Sequence, residues 1–444
     1  MELLLKKLLE IPEAASLAEA VEKGGCPAAV TGLSSVHKAQ IAAALAHGTG
    51  RPLVMVCADE AEAGRLAGDL ETLLGVPALR LYARELFVRT GAVASRQWEM
   101  ARIGALYEMA QGQGRFLVCT AEGLLQKTAP AQRLRDSAIT LEVGGRWDLS
   151  DLTLRLASAG YSRCDQVEGV GQFALRGGIL DVFSPLMEEP VRCEFFDDEI
   201  DSLGSFDTTT QRRTANLPSA LLLPAAEQLP DTEMVSAFGC LPADALICLC
   251  ETGRITERVR GVLFQAKEDT ESLLAAGEPN GDLVSLLLSQ SEWLSELERF
   301  PVCMMEALPT SRYPLSPRTL LTINAKQLSA YGGSMDAAAG DLEHYRSVGF
   351  GALLLCGNAP RARNLQRMLQ ERDLPAALDF EGEALPAPGE IRLTVGALSA
   401  GAEYPQLNLA ILTEGQLTAA SSGKAPAKRS VKKDNRQKLL SYTD

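Results

Sequence analysis

Short apolar runs alternate with longer amphipathic stretches along the first 120 residues. Residues 28–33 (AAVTGL), Leu53–Cys57, 78–82 and Phe116–Thr120 are apolar almost throughout. Runs of that length and continuity read as strands buried on both faces. Residues 35–47, Glu60–Leu74 and Arg96–Ala110 read as helices between them. Strands alternating with helices predict a parallel sheet covered on both sides.

The pattern changes near residue 140. A helix over 149–159 is followed by glycine-punctuated strands through Phe206, an α+β insert built from antiparallel hairpins. After residues 221–224 (LLLP) the first pattern resumes, with a strand at 245–249 and mostly helical sequence to about 300. A doubly wound α/β domain is thus interrupted by a small domain and completed after it. A further α/β unit follows, with strands at 352–356, Ile391–Val395 and 409–412. Its helix over 361–372 turns Leu365, Met368 and Leu369 inward. The expected division is 1–139, 140–220 (small domain), 221–330 (completing the first domain), 331–417 and a tail, 418–444. Between 418 and 438 Lys424, Lys428, Arg429, Lys432, Lys433, Arg436 and Lys438 face only Asp434, which reads as a solvated linker with weak, unspecific attraction for phosphate.

At 444 residues the chain is too long for one core, and its 46% apolar and 23% charged content is that of a globular protein. A net charge of −14 argues against duplex DNA as the chief partner and suits a protein surface. No run approaches the ~18 apolar residues of a membrane span, so no membrane partner is expected. The opening MELLLKKLLEIPEAA mixes charges into its apolar stretch and reads as an amphipathic helix rather than a signal peptide. The ten cysteines are scattered without a CxxC pair, which predicts reduced, buried thiols, no metal site and a cytoplasmic location. His37, His47 and His344 are dispersed, and no Ser/His/Asp grouping is apparent.

Two segments carry candidate chemistry. The turn after the first strand, Thr31 to Ala39, sets against G-x-x-x-x-G-K-[ST] with Gly32 and Lys38 in register. His37 stands at the second glycine and Ala39 at the metal-binding hydroxyl. The partner strand, 246–251, ends in Cys250-Glu251 where Asp-Glu is required, and a thiol does not replace a carboxylate for Mg²⁺. On the pattern alone, an ordinary helix start capped by Ser34 or Ser35 fits better.

The second segment is Arg176 to Arg213. Ile179–Phe183 is a strand ended by Ser184-Pro185, and residues 188–190 make a polar turn. Val191–Phe196 then alternates, with Val191, Cys193 and Phe195 on one face and Arg192, Glu194 and Phe196 on the other. The first face suits a core. The second is either an interface or a hairpin with one aromatic under a loop. The acidic run Glu194, Asp197, Asp198, Glu199, Asp201 reads as a solvated hairpin edge that discourages strand pairing, not as a metal site.

This second segment resembles the signature shared by the excision-repair protein UvrB and the transcription-repair coupling factors. The resemblance implies a small domain that docks onto the repair protein UvrA. The implied contacts are an arginine opening the Arg-Gly strand, another 16 positions on and a phenylalanine four beyond, here Arg176, Arg192 and Phe196. Two positions depart from the pattern: Gly204 stands where arginine often follows Ser-Leu, and Arg213 where serine or threonine is common.

In coupling factors the N-terminal module is a degenerate RecA/helicase-like domain without working ATPase motifs, matching the substitutions at 37, 39 and 250. No cofactor is therefore expected for this chain, ATP and Mg²⁺ belonging to the translocase part of the full-length family member. UvrB also inserts an aromatic-rich hairpin into DNA. Here the region between Tyr82 and Trp98 offers only Phe87, so a stacking platform is expected to be missing. The closing KLLSYTD resembles the junction before the RNA-polymerase-binding domain. Contacts with RNA polymerase and DNA would lie in domains beyond that point, and the C-terminal domain would mask the UvrA-binding face. The expectation is a non-enzymatic recruitment module. The alternatives are a UvrB-like ATPase on damaged DNA and a purely autoinhibitory structural module.

Overall fold

The computed structural model describes residues 1–86, 96–227, 233–277 and 282–417. It divides into one unit of Met1–Lys326 with Tyr404–Leu407, and a second of Gln327–Glu403 with the residues from Asn408 on.

The first unit is built on a seven-stranded sheet whose paired strands all run parallel. Its order is Thr319–Thr322, Ala28–Thr31, Val302–Met305, Leu246–Cys250, Leu53–Cys57, Phe116–Thr120, Leu79–Leu81. The central strands are buried at every position, as unbroken apolar runs require when helices cover both faces. Helix Glu60–Leu74 starts where the Asp59 carboxylate accepts the Glu62 N–H and stops at Gly75, whose φ of 70° no β-carbon favours.

Between Phe116–Thr120 and Leu246–Cys250 the chain leaves this sheet and builds another. Six strands lie in the order Arg213–Asn216, Glu199–Phe206, Val191–Phe196, Ile179–Phe183, Gln172–Arg176, Ser162–Arg163. All pair antiparallel except the last two. The inner face buries Phe173, Leu180, Val182, Val191, Cys193, Ile200 and Leu203 against Leu152 and Leu156 of helix Leu149–Ser158. Met100 and Ile103 of helix Arg96–Ala110 complete that core. The insert is entered and left through an antiparallel pair, Ile139–Glu142 with Ser219–Leu222.

The acidic run is not at a sheet edge. Glu194 lies in an inner strand, and beside residues 198–200 the chain is met by residues 144–147, where the Gly144 N–H donates to the Ile200 carbonyl and the Ile200 N–H to that of Gly145; Arg213–Asn216 pairs only with Gly204–Phe206. Only Asp197 and Asp198 form the turn, with Asp197 at φ 59°.

In the second unit, strands Leu409–Thr413, Gly351–Cys356, Ile391–Val395 and Ala376–Leu378 run parallel within a six-stranded sheet. Helix Ala359–Gln370 buries Leu365 and Leu369 fully, and Met368 packs at the margin of the same core.

No helix among the described residues is long and apolar enough to cross a membrane. All ten cysteines are free thiols, and no cluster among the described residues has the ligands for a metal ion.

Candidate docking face and nucleotide site

Strand pairing places Arg192 directly opposite Asp181. Asp181 is the one carboxylate in an otherwise apolar strand, and its side chain is 1% exposed. Burial of a charge at that depth requires cationic partners, and it has two. Arg192 donates from Nε to Oδ1 at 2.7 Å and from Nη2 to Oδ2 at 2.8 Å, a bidentate fork. Arg176 donates from Nη2 to Oδ2 at 2.7 Å. The remaining Arg192 donors reach the Gln211 carbonyl and side-chain oxygen, both at 3.2 Å. Its guanidinium also lies 4.4 Å from the centroid of the Phe206 ring. The bonds to Asp181 hold the Arg192 pKa above the ordinary arginine value. One carboxylate thus fixes both proposed contact arginines on the outer face of the small sheet.

Phe196 ends the same strand. A register shift at Glu194/Phe195 leaves Phe195 opposite the buried Ile200 and turns Phe196 outward. At 80% exposure it is the most exposed large hydrophobic among the described residues. An aromatic so placed on a two-residue turn has no structural task in the isolated molecule. Ile179, 37% exposed, pairs with both Arg176 and Glu194 on this face. Sequence reading missed Asp181 and Ile179. The signal for Asp181 was a lone acid in an apolar strand; Ile179 gave none.

At the other candidate site, Gly32 has φ 86°, and a β-carbon there would lie 2.2 Å from the Ile323 carbonyl oxygen. Packing alone therefore demands glycine at this turn. Ser34 occupies the N-cap position, but its hydroxyl engages His37 Nδ1 at 2.8 Å instead of a backbone N–H. His37 is fully buried, edge-on to Tyr404 with ring centroids 5.3 Å apart, and the Tyr404 hydroxyl donates to Gln40 Oε1 at 2.6 Å. Burial pushes the His37 pKa down to about 4, so the ring is neutral at physiological pH.

Lys38 is 2% exposed and ion-paired to Glu251. Glu251, at φ 59°, also accepts the Ala307 N–H at 2.9 Å. Burial works against ionisation of Glu251, but the Lys38 ammonium outweighs it and the pKa falls. Glu306 instead has its pKa raised by burial, against the opposing bonds from Thr252. Ala39 and Cys250 are wholly buried. These residues do not fit a nucleotide: the lysine points its charge at an internal carboxylate, and the position that would hold Mg²⁺ is a thiol inside the sheet.

A cleft of about 900 Å³ opens at the carboxyl ends of the neighbouring strands, lined by Asp59, Glu60, Trp98, Glu122, Arg254 and Arg258 among others. Trp98, 47% exposed, stacks on Tyr82 with centroids 5.5 Å apart and planes 8° from parallel. These two aromatics flank the segment in which a stacking platform is expected to be missing; residues 87–95 of that segment, Phe87 among them, lie outside the described residues. The cleft's charges do not suit phosphates. Arg254 is held by Asp59 at 2.5 Å and Glu62 at 3.1 Å, and Arg258 by Glu122.

The family model of the UvrB interaction domain matches residues 139–227, the insert that carries Arg176, Arg192 and Phe196. The transcription-repair-coupling factor of Bacillus subtilis is 25% identical over 94% of this chain and 40% of its own length. That of Staphylococcus aureus strain MRSA252 is 24% identical over the same shares. The chain is similar to transcription-repair-coupling factors over nearly its whole length. It spans about 40% of the length of these curated relatives. The UvrB interaction domain is thus the part of the chain that holds the outward phenylalanine and the paired arginines.

Proposed function

We propose that this chain is a recruitment module that binds UvrA and brings excision repair to stalled RNA polymerase, working in the cytoplasm without hydrolysing ATP. The observation that carries the reading is the outer face of the small sheet, where Asp181 holds Arg176 and Arg192 beside the outward Phe196. Fixed guanidiniums supply charge-assisted bonds at little ordering cost, and Phe196 supplies an anchor for a partner's pocket. In the longer relatives, RNA polymerase, DNA and a masking C-terminal domain would be engaged by other parts of the chain.

The internal pairing of Lys38 with Glu251 supports the absence of ATP turnover. The test is binding of the purified chain to UvrA, with Phe196→Ala and Arg192→Ala each expected to weaken it by about 1–4 kcal/mol. Equal binding by both variants would defeat the assignment of the face. Calorimetric titration with Mg-ATP is expected to show no heat of binding, and a measurable affinity would defeat the closed-site reading.

A further inference from the structure

The geometry points to Arg213 as a third arginine of the docking face, and as the one that takes a carboxylate of the partner. This rests on the reading that the face binds UvrA.

Gly204 is the cross-strand partner of Arg192. A β-carbon at Gly204 would lie 2.4 Å from Arg213 Nε and 3.0 Å from its guanidinium carbon. The Arg213 side chain therefore lies flat across the space that glycine leaves, next to Arg192. Its Nη2 donates to the Ser202 hydroxyl at 3.0 Å, and that hydroxyl donates to Glu194 Oε2 at 2.7 Å. Held against the sheet, the guanidinium has little rotamer freedom left to lose on binding.

Its charge is a separate matter. Arg176 and Arg192 share Asp181, and Arg192 spends its donors on Asp181 and Gln211. Arg213 forms no ion pair among the described residues and gives one hydrogen bond, to a neutral oxygen. A guanidinium has five donors. This one is exposed and pre-oriented beside two others that share Asp181, and the nearby Glu194 carboxylate reaches it only through the Ser202 hydroxyl. The hairpin tip has the opposite sign: Asp197, Asp198 and Glu199 flank Phe196, with Arg146 reaching Glu199 at 3.1 Å. The complementary surface carries a carboxylate opposite Arg213 and an apolar pocket with a basic rim for Phe196.

The test titrates the full chain against purified UvrA at several salt concentrations, comparing the parent with Arg213→Ala, Arg213→Gln and Phe196→Ala. Arg213→Ala and Arg213→Gln are each expected to weaken binding about tenfold and to flatten its salt dependence. Their thermal midpoints are expected to match the parent's, because Arg213 is exposed. Gln, which keeps a donor for Ser202, guards against a local collapse in the Ala variant. If the parent does not bind, this proposal falls with the reading beneath it. If the parent binds, Phe196→Ala weakens it and both Arg213 variants bind like the parent, the face stands and the third arginine is overturned. Weakened binding with unchanged salt dependence overturns the carboxylate as its partner.

Discussion

Asp181→Asn removes a charge and almost no volume from the point where the docking face is fixed. The carboxylate accepts three bonds at 2.7, 2.7 and 2.8 Å, two from Arg192 and one from Arg176. Arg192 is 17% exposed, so its bonds count nearly in full; Arg176 is 48% exposed, and solvent screens its share. Breaking a buried pair from one side costs about 3–5 kcal/mol. The amide keeps one acceptor oxygen, which recovers about 1 kcal/mol. A loss of about 3 kcal/mol is expected, read as an earlier urea midpoint at unchanged slope and as faster amide exchange in strand Ile179–Phe183. UvrA affinity should fall as well, though Asp181 itself is buried, because Arg176 and Arg192 lose their common anchor. Asp181→Leu with Arg192→Met, which removes both charges, should recover most of the stability and none of the affinity. A single Asp181→Asn change of under about 0.5 kcal/mol, the scale of an exposed pair, would refute the reasoning.

Glu251→Leu strands the Lys38 ammonium inside the protein and should cost about 2–4 kcal/mol, whereas Lys38→Met should be close to neutral; urea denaturation of the two variants compares them. The His37 pKa lies at about 4 in the folded chain against about 6.5 unfolded, so its contribution is complete above pH 6.5 and is lost as pH falls towards 4. About 2 kcal/mol should disappear between pH 6.5 and 5, and His37→Gln should flatten that slope in denaturation series. Phe196→Ala, at an 80% exposed position, should leave the melting temperature unchanged while UvrA binding drops, which differential scanning calorimetry checks.

The fold was largely legible because its main signals are local. Continuous apolar runs gave Leu53–Cys57 and Phe116–Thr120, and helical stretches gave Glu60–Leu74 and Arg96–Ala110, with the bounds seen in the structure. Period-two alternation placed Val191 and Cys193 in the core and Phe196 outside it. What escaped depended on pairing between distant segments. Residues 144–147 meet the acidic run at 198–200, and Arg213–Asn216 pairs with the far end of the same strand; no pattern within any of these segments announces that. The Tyr82–Trp98 stack joins the two ends of a stretch, a contact that the pattern of neither end announces. The substitutions at 37, 39 and 250 were visible as lost chemistry; that Lys38 would be retired into an ion pair with Glu251 depended on the fold bringing two remote turns together.

Helix Arg96–Ala110 belongs to two cores at once. Met100 and Ile103 enter the small sheet's interior, while Ala105, Leu106 and Met109 enter that of the parallel sheet. Between them Arg102, wholly buried, grips Glu227 just beyond the exit strand of the insert, at 2.9 Å. The paired strands at the insert's entrance are therefore not its only tie to the parallel sheet. A tilt of the small sheet must either drag a rigid rod of about 22 Å with it or tear apolar side chains from one of its flanks. The helix is a shared rod, and the insert is stitched to the parent sheet by side chains that each core already buries.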